Sequence, residues 1–271
     1  MFRMDVSARR FAAWCGAMLC PAGWRIALLL AAAMVLPAAH AASLQVAPIS
    51  LEFSPREQAQ SVWLSNTGTA PVRAQVRVLQ WSQPDQADQL DPTRELVASP
   101  PMVEIAPGDK QMIRIIRMSP GAPASEKSYR LIIDELPVTG AAAPAAGGGL
   151  QFLLRYSVPV FLAVADPVPA SPKPTDVSGL TAVMERTASP VLVVANTGPQ
   201  RIKISQLVYV DAQGVRTPLA PGLLGYVLSG QRMRWPLNFP PGQALQPGGA
   251  FKAKFNADLE EQTLPLANSR S

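Results

Sequence analysis

The chain has 271 residues, with 24 Lys and Arg against 19 Asp and Glu and a formal charge of +5. Its 28 prolines and 18 glycines favour frequent turns and exclude long helices. Both cysteines, Cys15 and Cys20, and the one histidine, His40, precede residue 42. This excludes disulfides, zinc sites on thiolate or imidazole, and Ser–His–Asp catalysis from the rest of the chain.

The N-terminal segment has the layout of a secretory signal. Arg3, Arg9, Arg10 and Arg25 stand against one acid, Asp5, before an apolar run from Ile26 to Leu36. Ala39-His40-Ala41 then supplies the small residues that precede cleavage. The run is too short for a membrane-spanning helix, which takes roughly 20 apolar residues. Residues 1–41 are therefore expected to be removed on export. Without them 20 basic residues face 18 acidic ones, which leaves no nucleic-acid footprint. No metal or cofactor is expected, and a binding role is favoured over an enzymatic one.

Beyond residue 42 the chain reads as short strands separated by turns. Leu44 to Phe53 is extended, with Pro48 as an interruption. Ser61 to Leu64 leads into the turn Asn66-Thr67-Gly68, and Val72, Ala74, Val76 and Val78 alternate with polar neighbours as in a half-buried strand. Pro107-Gly108-Asp109 is a second turn, followed by strands at 111–118 and 128–136. Pro137 to Gly149 is almost wholly Ala, Pro and Gly, a loop. Leu150 to Val164 follows; Pro159 and its β-branched and aromatic residues favour one long strand over a helix.

A proline-rich connector at 167–176 marks a domain boundary. After it the pattern resumes: a strand into Asn196-Thr197-Gly198, an alternating strand at 202–210, the turn Asp211 to Gly214, and a strand from Ala250 to Phe255. Short, turn-punctuated strands predict an all-β protein of two antiparallel β-sandwich domains. The N-terminal domain covers 42–166 and the C-terminal domain 177–257. The polar tail 258–271 receives no role. Trp81 and Trp235 are the aromatic pair that an envelope adhesion or carbohydrate-binding module on this fold would use, although strand tryptophans are mostly core.

Several segments together resemble the periplasmic pilus-assembly chaperones of the chaperone–usher pathway, in particular the archaic branch that serves spore-coat-U-like pilins. They are Trp63 to Gly68, Pro100-Pro101 with Ile105 to Gly108, Gln111 to Ile115, Tyr129-Arg130-Leu131 with Glu135-Leu136-Pro137, and Arg155 to Phe161. In the second half come Asn196-Thr197-Gly198, Gly225 to Gly230 and Arg234 to Leu237. The resemblance runs from about residue 44 to 257. It implies two immunoglobulin-like β-sandwich domains at an angle with a cleft between them. It also implies periplasmic binding of incomplete immunoglobulin-like pilus subunits, donation of a β-strand to them, and delivery to an outer-membrane usher.

On that resemblance Leu150, Phe152, Leu154, Tyr156 and Val158, which share one parity, become the donor side chains, and Leu153 adds apolar area on the other face. Members of the family anchor the subunit's C-terminal carboxylate with an Arg on the first strand and a Lys on the donor strand. Here Leu44 to Phe53 has no basic residue, and the donor strand has Arg155 and no Lys. Arg155 and Arg77 are the expected anchors, ahead of Arg73, Arg114 and Arg117. A donor edge of this kind also predicts weak self-association.

Overall fold

The computed structural model describes residues 44–119, 121–137, 152–164, 174–185, 190–241, 245–246 and 248–267. The proposed signal peptide, Leu150 and most of the 167–176 connector lie outside the described residues.

The N-terminal sandwich has two sheets. One has the order β1(Leu44–Ala47), β3(Ala59–Asn66), β8(Lys110–Arg117), β6(Leu96–Ser99). The other has the order β2(Leu51–Phe53), β10(Arg155–Leu162), β9(Lys127–Leu136), β4(Val72–Ser82), β5(Gln89–Pro92), with β7(Met102–Ile105) also on β4. The alternation seen in the sequence sets the core: Val62 and Leu64, Ile113 and Ile115, and Tyr129, Leu131 and Ile133 point inward against Val72, Ala74 and Val76.

The extended segment 44–53 divides between the two sheets. β1 pairs with β3, and after Pro48 the chain crosses so that β2 lies parallel to β10, with Leu51 opposite Val160 and Phe53 opposite Leu162. The long strand expected over 150–164 is shorter than its apolar run. Its ladder begins at Arg155, opposite Asp134, although β9 itself runs on to Leu136.

The C-terminal sandwich pairs β11(Leu180–Glu185), β12(Val191–Asn196) and β15(Arg232–Pro236) in one sheet. The other contains β14(Arg216–Val227), β13(Ile202–Val210), β16(Ala250–Phe255) and β17(Gln262–Thr263). Here the tail corrects the sequence reading. Residues beyond 257 complete the sandwich: β17 extends the sheet at β16, and Leu264 is buried. The Ala182 amide donates to the Pro265 carbonyl, and Ala267 donates back to Ala182. The polar composition misled because Asp258, Glu260, Glu261 and Gln262 surround one apolar anchor, Leu264.

The two Asn-Thr-Gly turns form the same hydrogen-bond hub. Asn66 Nδ2 donates to the carbonyls of Ala70 and Ile105 while its Oδ1 accepts from the Gly68 amide at 2.9 Å. Asn196 repeats this with Gln200, Val227 and Gly198, again at 2.9 Å for the amide. Both side chains are buried, so these bonds replace water that the groups have lost.

The sandwiches meet at an aromatic junction of Trp81, Phe161, Tyr226 and Leu228. Gln83 bonds across it, donating to the Tyr226 carbonyl at 2.8 Å and accepting from the Leu228 amide at 3.0 Å. Arg201 of the C-terminal sandwich lies 3.6 Å over the Phe161 ring, donates to Glu52 at 2.8 Å and pairs with the fully buried Glu126 carboxylate. Burial pushes the Glu126 carboxyl up, against the opposing pull of Arg201.

Two stability predictions follow. Arg201→Ala leaves Glu126 buried without its cation and should cost about 3–5 kcal/mol in urea unfolding. Leu264→Ala should cost roughly 2–5 kcal/mol, as in a core position, whereas a dangling tail would give no change.

Candidate functional site: the half-open strand β10

β10 bonds to β9 along its whole length but to β2 only over its last three residues. The Leu154 carbonyl accepts from the Glu135 amide at 2.9 Å, which puts the even-numbered residues in bonding register with β9. By the alternation of an antiparallel ladder, the amides and carbonyls of residues 155 and 157 and the carbonyl of 159 point the other way. Among the described residues nothing pairs with them there. Pro159 brings no N–H to that edge, which suits an edge position. From residue 160 onward the same side is closed by β2, and the Ala163 amide donates to the Phe53 carbonyl.

The expected donor side chains separate into two groups. Phe152 is 71 % exposed and Leu154 half-buried, both ahead of the ladder. Tyr156 and Val158 do not project: Val158 is 5 % exposed inside the chain's own core, and Tyr156 packs on that core and donates its hydroxyl to the Leu44 carbonyl. Their assignment as subunit-contacting residues is corrected; parity placed them on the right face, but the sandwich already covers that part of it. Leu153, on the opposite face, is also exposed.

The expected anchoring residues come together: Arg155 and Arg77 both pair with Asp134, Arg77 at 2.6 Å. Burial raises the Asp134 carboxyl, but Arg155 and then Arg77 outweigh it, and the net shift is downward. That contribution to stability is present above the ordinary carboxylate range near 3.9 and is lost as pH falls through the lower folded value. The next residue, Glu135, accepts from the Leu154 amide at 3.2 Å. These two acids tether the start of β10. Arg73 pairs with Glu104, and Arg117 donates to the Pro55 carbonyl.

A residue not singled out from sequence is Arg130. It stands between Leu79 and Pro159 on the outer face, and its guanidinium lies 3.7 Å over the Trp81 ring and 5.8 Å from Tyr226. Burial lowers its pKa, with Asp88 and Tyr226 opposing. The inward alternation of Tyr129 and Leu131 already places it outward; its aromatic companions come from distant segments. Trp81 is 3 % exposed in the junction and Trp235 packs in the C-terminal core, so the two form no exposed aromatic platform.

Two sandwiches with part of one strand's backbone edge left open define the site. Residues 43–164 match the model of the family described as pili and flagellar-assembly chaperone, PapD N-terminal domain. Solved structures share the two-domain fold. One is the CsuC–CsuE chaperone–tip adhesion subunit pre-assembly complex from archaic chaperone-usher Csu pili of Acinetobacter baumannii. It is 24 % identical, covers 83 % of this chain and 98 % of that one, and has a TM-score of 0.61. The YadV chaperone is 18 % identical, covering 82 % and 100 %, with a TM-score of 0.56. The Salmonella enterica SafA pilin complex with the SafB chaperone is 19 % identical, covering 80 % and 91 %, with a TM-score of 0.52. No curated protein matches the chain.

If Asp134 holds the start of β10, Asp134→Asn should speed amide exchange at Tyr156 roughly 2- to 10-fold while core amides stay unchanged, the effect of losing weak, partly exposed pairs.

Proposed function

We propose that the chain, after removal of residues 1–41, acts in the periplasm as a chaperone for incomplete immunoglobulin-like pilus subunits. It lends them the open part of β10 and passes them to an outer-membrane usher. The observation that carries this reading is the coincidence of an unpaired backbone edge at 155–159 with a large apolar side chain, Phe152, standing in water just ahead of it. Such an edge invites a further strand. Main-chain bonds supply the affinity of an added strand, and alternate side chains supply the fit. Phe152 and Leu154 are the residues assigned to the subunit groove, and Leu150 continues their parity. The family resemblance favours spore-coat-U-like subunits. Two free copies can shield the same edge from each other, which accounts for the weak self-association expected above. The rival reading, a carbohydrate-binding module, has no support from Trp81 and Trp235.

Phe152→Asp should abolish co-purification with secreted pilus subunits while leaving the melting temperature unchanged. The carboxylate sits in water in the free protein but would enter an apolar groove in the complex, at a cost of several kcal/mol. Val158→Asp should instead unfold the N-terminal sandwich. Undiminished capture by folded Phe152→Asp would remove the donor assignment.

A further inference from the structure

One face of the C-terminal sandwich carries lysines without acids. Elsewhere Arg77 and Arg155 share Asp134, Arg73 has Glu104, Lys127 has Glu95 and Arg234 has Glu185. Lys203, Lys252 and Lys254 have no ion pair among the described residues. On β13 and β16, Ile204, Leu207, Phe251, Ala253 and Phe255 fill the core, so the three lysines point outward with Ser205 and Val208. Lys254 is opposite Ser205 and Lys252 is opposite Val208. Val208 lies on this outer face yet is only 9 % exposed, as when lysine stems fold over it and their ammonium groups reach water. Lys252 and Lys254 stand roughly 7 Å apart along the strand, and Lys203 is on the diagonal from Lys254, so the charges repel one another. Glu261 does not relieve them, because Arg216 engages both of its oxygens, at 2.6 and 2.8 Å. An apolar companion, Leu223, sits opposite Ser205 where the β13–β14 register shifts, and is 59 % exposed.

This face continues from the open edge of β10. A strand added at 155–159 can run no further along β10, because β2 occupies the track from Val160 onward. The surface next to that point on the outer face is the contact between Phe161 of β10 and Tyr226 of β14, with ring centroids 5.9 Å apart. Tyr226 is opposite Lys203, and Lys254 and Lys252 follow on the same face. A chain that leaves the end of the added strand across this contact therefore arrives at the lysines.

We infer that the face of Lys203, Lys252 and Lys254 receives the side-chain carboxylates of an acidic segment flanking the strand that adds to β10, and so favours partners with Asp or Glu beside that strand. This rests on the strand-donation reading above. The lysines supply the opposite charge, which speeds encounter and selects among partners, and the contact is weakened by salt.

The test uses the protein from residue 42 onward and peptides of one alternating Val/Thr sequence, acetylated and amidated so that neither end is charged. One carries a run of Asp before the sequence, one carries it after, and a third has Ser in both places. At low salt the better Asp peptide should bind about tenfold more tightly than the Ser peptide. The ratio should fall towards one at about 1 M salt, where the screening length is ~3 Å. Lys252→Gln with Lys254→Gln should remove most of the ratio and leave the Ser peptide's affinity unchanged. Arg94→Gln with Lys110→Gln, an equal loss of charge on the other sandwich, should keep the ratio. Equal binding of Asp and Ser peptides by the wild type, an undiminished ratio in the folded lysine variant, or the same loss in the control variant overturns the inference. Amide exchange at Arg155 and Ser157 separates this from failure of strand donation, since every bound peptide should protect both. Protection without an acidic preference leaves strand donation standing and ends the lysine assignment, whereas an acidic preference without protection overturns both. Binding to phosphatidylglycerol vesicles that the lysine variant abolishes, with no peptide preference, would assign the face to a lipid surface instead.

Discussion

β10 carries an unequal load of pairing, and the rest of the N-terminal sandwich is arranged around that inequality. Its inner edge is satisfied by β9 throughout, while its outer edge is satisfied only from Val160 to Leu162, where β2 runs parallel to it. The cause lies at the other end of the domain. The segment 44–53 gives its first residues to the opposite sheet, pairing β1 with β3, and reaches β10 only after crossing at Pro48. A first strand that stayed in one sheet would cover residues 155–159 and leave no open edge. Unpaired edges invite unwanted pairing, and this one is moderated by a proline without an N–H and by the charge of Arg155.

The half-open strand is held at both ends. At its start Asp134 collects Arg77 and Arg155, and Glu135 takes the Leu154 amide. At its finish Phe161 enters the junction cluster beneath Arg201, which also binds Glu52 of β2 and the buried Glu126. The second sandwich therefore supports the covered half of β10 directly. Exposed pairs of the first kind contribute little each, while the second network is costly to break because Glu126 has no access to water. Rigidity is concentrated where β2 covers β10, and openness where it does not.

The two domains also share a local device. The identical bonding of Asn66 and Asn196, each joining its own turn to a carbonyl at the end of another strand, shows the three-residue repeat to be a structural hub in both sandwiches. An asparagine suits this position because it offers donors and an acceptor on one short side chain.

Alternation with period two, turn residues and the proline-rich break were enough to read two all-β domains directly, because each of these signals is local. The same alternation put Phe152, Leu154, Tyr156 and Val158 on one face. It did not distinguish Phe152, exposed to solvent, from Val158, sealed in the core, since that depends on where β9 and β2 begin and end against β10. The partner of Arg155 was not legible, since Asp134 is 21 residues away and is brought opposite by the ladder register. The tail looked inert because its three scattered leucines carry no strand periodicity, yet the edge of β16 and the amide of Ala182 pair with it, and Leu264 is buried. Sequence determined what each strand can bury and which way its side chains alternate. Tertiary structure decided which edges remain open and which charges are satisfied, because both depend on the register between segments far apart in the chain.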